Sequence, residues 1–312
     1  MTVAVLNAML KPLLEGRLPD WLDVRWYATK GEAMDLAPQA EIGWFDMHAK
    51  EDMVEAITRA TRLKWLNSII AGLDFLPADL LIERGVTVTN GAGINALTIA
   101  EYVVMGMLSR AKGYREVVRA QDRHEWLRDA PGKRELAGSK ALILGYGAIG
   151  QLVDARLTAF GVSVIKVRRN AGPGTLGPDD WRPRLQEFDW VILAVPATPE
   201  TDGMIGAAEL AAMKPGAELV NVARGAVVDQ DALVDALRAG HLGGAFLDVT
   251  TPEPLPADHP LWSFDNVEVT MHLSGRSQTL MMARGAERFL DNLAHWHAGL
   301  PLENRFDPSL GY

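Results

Sequence analysis

Three glycines, Gly145, Gly147 and Gly150, stand between an apolar run (Ala141–Leu144) and a helical stretch, and a second apolar run, Val162–Val167, follows. Strand, glycine turn, helix and strand in that order make a βαβ unit suited to a dinucleotide. The first glycine permits a tight turn, the second lets the backbone approach a pyrophosphate, and the third lets the helix pack close to the strand. The helix N-terminus, starting at Ala148 and Ile149, then aims its amides at phosphate oxygens. A GxGxxG alone occurs often by chance, but between these two apolar runs it is a strong signal.

The end of the second strand refines the cofactor. An NAD site usually places Asp or Glu there, roughly 20 residues on, to accept hydrogen bonds from the ribose hydroxyls. Here the chain reads Val167-Arg168-Arg169-Asn170, with no acid. A carboxylate repels a 2′-phosphate, whereas a guanidinium pairs with it in bidentate fashion. Arg168 and Arg169 therefore favour NADP(H) over NAD(H).

Composition closes off several classes. A net charge of −9 argues against a nucleic-acid binder, which needs a basic stripe. Cysteine is absent, which excludes disulfides and thiolate chemistry and fits a cytoplasmic protein. The N-terminal MTVAVLNAMLKPLLEG lacks the basic n-region of a signal peptide and reads as a strand plus turn. The most apolar helix, about Asn95–Leu108, carries Glu101 and is too short for a bilayer. It is apolar nearly all round and reads as buried. His295 and His297 are two apart on a helix and so face different sides, and there is neither HExxH nor Cys, so no metal is expected. No GxSxG elbow is present for a hydrolase.

Residues 1–93 alternate short apolar runs (Val3–Leu6, Val24–Trp26, Ile42–Phe45, Leu66–Ile70, Val86–Thr89) with polar helical stretches. That reads as a small α/β domain. Lys112–Leu136 is charged and reads as a surface arm or irregular crossing segment. From Ser139 apolar runs recur at 141–144, 162–167, 190–195, 218–222, 244–249 and 266–270, the rhythm of a doubly wound parallel sheet. A helix rich in Met, Leu and Phe runs to about His297, and an extended tail ends the chain. The expected fold is α/β: a Rossmann dinucleotide domain (94–278) inserted in a smaller flavodoxin-like substrate domain (1–93, completed by 279–312).

Several ordered motifs resemble one family. NGAGINALTIAEY (90–102), LILGYGAIG (142–150), LVNVARGAVVDQDAL (219–233), GGAFLDVTTPEPLP (243–256) and VTMHLSG (269–275) resemble the D-isomer-specific 2-hydroxyacid dehydrogenases, and the short C-terminus resembles their glyoxylate/hydroxypyruvate reductase branch. Reducing a 2-oxo acid needs a hydride donor, a cation for the carboxylate and ketone, and an acid for the new alkoxide. Arg224 follows the run 218–222, at a strand's carboxyl edge, and its fork suits a carboxylate with its adjacent carbonyl. His272 follows another strand and titrates near neutrality, so it can give or take the proton. Glu253, in the proline-rich TTPEPLP loop, pairs with His272 by resemblance; an adjacent carboxylate favours the protonated ring. Both Arg224 and His272 are expected to touch substrate.

The turn Ala71-Gly72-Leu73 resembles the family loop whose amides grip the substrate carboxylate, Gly72 allowing close approach. Trp44 and Phe45 fit a pocket wall or the core equally. The resemblance further places Val195 and Pro196 by the adenine, Thr98 and Asp248 near the nicotinamide with Asp248 accepting from the carboxamide, and Ala223 and Ser274 as lesser contacts. It also implies a homodimer paired around the helix from Asn95, and a cleft between domains that closes on substrate. Two departures stand out: Met271 where proline commonly precedes the histidine, and Thr250-Thr251 where an aromatic and an acid are usual. The resulting expectation is NADPH-preferring reduction of glyoxylate, hydroxypyruvate or a similar 2-oxo acid. An NAD-dependent relative acting on another 2-hydroxy acid stays open. Formate and phosphite enzymes share the fold, but the formate enzymes carry Gln where Glu253 stands. A nucleotide-sensing corepressor with little turnover is the alternative of another class.

Overall fold

The apolar runs become strands of two sheets in the computed structural model, which describes residues 1–73, 75–276 and 280–307. Parts of the expected boundary at 278/279, and the closing Gly311-Tyr312, lie outside the described residues. Two units separate by their internal contacts: Met1–Asn95 with the C-terminal stretch, and Ala96–Arg276.

The first unit carries β1 (Thr2–Asn7), β2 (Leu22–Tyr27), β3 (Ile42–Trp44), β4 (Trp65–Asn67) and β5 (Thr87–Thr89). These are parallel in the order β5-β4-β3-β1-β2, the flavodoxin-like arrangement. The tail is not merely extended: β12 (Arg305–Phe306) pairs antiparallel with β5, setting Phe306 opposite Val88. Around the sheet lie α1 (Lys11–Leu14), α2 (Lys30–Leu36), α3 (Lys50–Arg59), α4 (Ala78–Glu83) and α10 (Met281–Ala298). Residues alternate between two buried faces along each strand. Val5, Leu66 and Val88 face one core, while Leu6, Trp44 and Trp65 face another that α10 completes with Phe289 and Leu293. The Phe289 ring lies 5.0 Å from Trp44 and 5.2 Å from Trp65. Trp44 and Phe45 are each 1% exposed, which makes them core residues and not pocket walls.

The second unit carries β6 (Lys140–Leu144), β7 (Ser163–Val167), β8 (Trp190–Leu193), β9 (Glu218–Asn221), β10 (Gly244–Leu247) and β11 (Val267–Val269). All six are parallel, in the order β7-β6-β8-β9-β10-β11. Its helices are α5 (Ala96–Lys112), α6 (Tyr114–Asp122), α7 (Ala148–Ala159), α8 (Ala207–Ala212) and α9 (Gln230–Arg238). Leu142, Leu144, Leu193 and Leu219 pack beneath Leu210, Leu233 and Leu237, and Ala141, Ile143, Ile192 and Phe246 pack beneath Val103, Met107, Val153 and Leu157. Burial on both faces is why these strands read as continuous apolar runs.

Two sequence expectations need correction. The helix from Asn95 is not buried all round: α5 buries Ala100, Val103, Gly106 and Met107, yet Met105 is 47% exposed and Glu101 faces solvent. A high mean hydropathy concealed a half-covered helix. The charged arm is also not irregular throughout, because α6 forms within it, turning its apolar stripe inward at Ala120 only. Among the described residues no helix is long and apolar enough to cross a membrane.

Candidate active site

Because all six strands of the second sheet run the same way, every loop that follows one emerges at a single carboxyl edge. The loops after β6, β7, β8, β9, β10 and β11 carry, in turn, the glycine motif, Arg168 and Arg169, Val195 and Pro196, Ala223 and Arg224, Glu253, and His272. The chain order reverses between β6 and β8, and open α/β sheets bind ligands in the crevice at such a point.

The glycines divide the work at that crevice. Gly145 has φ +98°, and a Cβ there would stand 2.4 Å from the Ala194 carbonyl oxygen. A Cβ on Gly150 would stand 2.3 Å from the Gly145 oxygen, so helix and strand touch backbone to backbone. Gly147 is different: nothing lies within 4 Å of where its Cβ would be. It is also the N-cap of α7 without a side-chain cap, and no acid sits in the first turn. The amides at Ala148 and Ile149 thus open a helix whose N-terminus is left for an anion, which fits a dinucleotide pyrophosphate. Tyr146, between the glycines, donates to Asp154 Oδ2 at 2.6 Å, and Lys166 Nζ approaches the same oxygen at 2.7 Å. This ties the glycine turn to α7 and β7. Asp154, the one acid in α7, was its only trace in the sequence.

Arg168, Arg169 and Asn170 are all exposed at the end of β7. Arg169 Nη2 lies 4.0 Å from Glu200 Oε1, a neighbour the sequence reading missed. Glu200 is held below the usual carboxylate range by the Thr198 side chain, its own backbone amide and the Arg169 charge. Beside Val195, the Pro196 carbonyl accepts from Thr201 Oγ1 at 2.7 Å, which closes the loop after β8. Thr98 is half-buried in the first turn of α5.

After β9 the buried Asn221 shapes the turn: its Oδ1 accepts from the Ala223 amide at 3.0 Å and its Nδ2 donates to the Arg224 carbonyl at 3.0 Å. Arg224 Nη1 donates to the Ala223 carbonyl at 2.8 Å. A Cβ on Gly225 would stand 2.1 Å from the Thr250 oxygen, so the Arg224 turn rests directly on the loop that carries Glu253. In that loop Glu253 Oε1 accepts from the Thr250 amide at 3.2 Å, and Oε2 lies 2.8 Å from His272 Nδ1. Burial alone would push the Glu253 carboxyl up; the His272 bond and charge, the Thr250 amide and the Arg224 charge outweigh it and hold the group below its ordinary value. The carboxylate accepts, so Nδ1 carries the proton of this bond and Nε2 is the ring nitrogen left to act. The structure therefore brings Arg224, Glu253 and His272 together.

Met271 and His272 both have left-handed backbones, at φ 54° and 56°. Proline is fixed near −65°, so the proline that commonly precedes this histidine cannot adopt the Met271 conformation. Asp248 holds the turn. Its carboxylate, in a residue 2% exposed, accepts from Thr270 Oγ1 at 2.7 Å, from the Leu273 amide at 3.0 Å, from the Ser274 amide at 3.1 Å and from the Ser274 hydroxyl. The Asp248 carbonyl also accepts from the His272 amide at 2.6 Å. Asp248 and Ser274, which the resemblance places near the cofactor, bond to each other and brace the histidine turn.

The first unit has its own polar knot, around Ala71-Gly72-Leu73. Asp46 accepts from Trp44 Nε1 at 2.7 Å, Ser68 Oγ at 2.7 Å and the Ile69 amide at 2.6 Å. Burial pushes its carboxyl up against these bonds. Asn90 Nδ2 donates to the Ala71 carbonyl at 2.8 Å, and Leu73 is buried while Ala71 is exposed. Neither Asp46 nor Asn90 was singled out from sequence.

Comparison with known proteins gives a consistent family. Residues 104–274 match the profile of the D-isomer specific 2-hydroxyacid dehydrogenase NAD binding domain. A D-3-phosphoglycerate dehydrogenase of Mycobacterium leprae is 35% identical over 263 residues, covering 82% of this chain and 49% of that protein, so the chain spans about half its length. A D-isomer specific 2-hydroxyacid dehydrogenase family protein from Aeromonas salmonicida superposes with a TM-score of 0.85 at 30% identity, over 98% of this chain and 99% of that one. An NADPH-dependent glyoxylate/hydroxypyruvate reductase from Sinorhizobium meliloti, solved with NADP and sulfate, superposes with a TM-score of 0.81 at 25% identity, over 100% of each chain. With its carboxyl-edge glycine motif and its Arg–Glu–His cluster, this chain belongs to the D-isomer specific 2-hydroxyacid dehydrogenases, an oxidoreductase family that binds nicotinamide dinucleotides.

Proposed function

We propose that the chain reduces small 2-oxo acids, glyoxylate, hydroxypyruvate or a close analogue, to D-2-hydroxy acids, with NADPH preferred over NADH. The observation that carries this reading is the 2.8 Å pair of Glu253 and His272, with the Glu253 loop resting against the Arg224 turn. Arg224 binds the substrate carboxylate and polarises the neighbouring ketone. His272 Nε2 protonates the ketone oxygen as it becomes an alkoxide, and Glu253 stabilises the imidazolium beforehand. A bound dinucleotide supplies the hydride. Residues 145–150 would hold its pyrophosphate, and Arg168 and Arg169 its 2′-phosphate. The exposed apolar residues Met105, Tyr114 and Trp126 support pairing with a second copy around α5 and α6, as the family resemblance implies.

A panel assay tests the reading: NADPH and NADH oxidation against glyoxylate, hydroxypyruvate, pyruvate and phenylpyruvate. Turnover of none of them, with dinucleotide still bound, favours the corepressor-like alternative. The Mycobacterium leprae relative motivates a second arm, oxidation of 3-phosphoglycerate with NAD. Faster turnover there than with any 2-oxo acid would replace the substrate assignment.

A further inference from the structure

We propose that Gln230, the first residue of α9, is a positioning residue for the acid–base pair: its amide clamps the backbone of Thr251 and so fixes the loop that presents Glu253 to His272. This rests on the roles given above to Glu253 and His272. Gln230 Nε2 donates to the Thr251 carbonyl at 2.6 Å, and Gln230 Oε1 accepts from the Thr251 amide at 3.0 Å. One side chain thereby exchanges both bonds with one residue's backbone, as a paired strand does.

The loop needs such a hold. Residues 251–254 are exposed and belong to no strand or helix. Pro252, Pro254 and Pro256 remove half of the backbone donors between 251 and 256, so the loop has few ways to secure itself. Its bond at the far end is Trp262 Nε1 to the Pro256 carbonyl, at 2.9 Å. At the near end Thr250 Oγ1 donates to the Pro252 carbonyl at 3.1 Å, and Gln230 holds Thr251, two residues before Glu253. Gln230 is not used in capping its own helix: Asp229 does that, accepting from the Ala232 amide at 3.0 Å. The amide is thus directed outward, across to a different loop. His259 Nε2 stands 3.2 Å from the same amide nitrogen.

Without the clamp, Thr251 is released and Glu253 loses its 2.8 Å register on His272. A misplacement of up to about 1 Å near the reacting groups costs on the order of 10–100-fold in turnover. The test is a double-mutant cycle of Gln230→Leu and Glu253→Gln in the full-length enzyme, reading kcat for the best 2-oxo acid and dinucleotide Kd. Gln230→Leu is expected to lower kcat by on the order of 10–100-fold with Glu253 present, with Kd nearly unchanged. In the Glu253→Gln background the same change is expected to alter kcat by less than about twofold, because the group it positions is already gone. Full activity of Gln230→Leu, or an equal fractional loss in both backgrounds, overturns the clamp. A fully active Glu253→Gln enzyme instead overturns the acid–base assignment beneath it. Gln230→Glu, of the same size but setting a carboxylate against the Thr251 carbonyl, enters the same cycle if the leucine variant does not fold, with the same outcomes decisive.

Discussion

Replacing Asp248 with Asn should lower stability and turnover together, by amounts the hydrogen bonds allow one to work out. The carboxylate takes Thr270 Oγ1, the Leu273 amide, the Ser274 amide and the Ser274 hydroxyl, inside a residue 2% exposed. Asparagine, placed with its oxygen as Oδ1, keeps the first three. Its NH2 then meets the Ser274 hydroxyl, which rotates to accept. What is lost is the charge on three retained bonds. Bonds to charged groups contribute about 1.5–3 kcal/mol and neutral ones about 0.5–1.5, so the change costs about 3–4.5 kcal/mol. Asp248→Ala strands the buried Ser274 amide, whereas the Leu273 amide keeps the Thr270 carbonyl at 3.1 Å, and costs about 1–3 kcal/mol for that one donor. Urea unfolding of both variants measures the loss, and kcat measured on the folded fraction should drop as the His272 turn loosens. An Asp248→Asn protein within 0.5 kcal/mol of the parent, a margin below one neutral hydrogen bond, would refute the bracing role.

Other outcomes follow from the same geometry. His272→Asn should reduce turnover on the order of 10²–10⁴-fold, with dinucleotide affinity from fluorescence titration little changed. Arg169→Ala should raise the KM for NADPH about tenfold or more and spare NADH, as expected for one lost charge-assisted pair, whereas an equal loss for both would remove the phosphate assignment. Glu253 is depressed in the folded state, so its contribution to stability is present above the unfolded value of 4.5 and disappears as pH falls through the folded value. The stability gap between the parent and Glu253→Gln should therefore close on acidification below 4.5, checked by thermal melts across pH.

How far the sequence could be read depended on the range of the signal. Arg224 and His272 were legible because each stands a fixed step beyond an apolar run, and a parallel sheet sends all such steps to one edge. The glycines were legible for the same reason. The bracing bonds of Asp248 and the clamp of Gln230 were not, since their partners lie 21 to 26 residues away and only the folded loops bring them together. Composition also misled at α5, where a high apolar content suggested burial on all sides, although Met105 and Glu101 face outward. The strand at Arg305–Phe306 is two residues long, too brief to leave a period.

Under the proposed function, the left-handed pair at Met271 and His272 ties the acid–base chemistry to backbone strain. Such backbones cost about 1–3 kcal/mol for residues other than glycine, and here one of the strained positions carries the imidazole proposed as the acid. His272→Gly would relieve the torsion while deleting the imidazole, giving a hardier but inert protein. Selection for robustness alone would be expected to relax this corner of the molecule first.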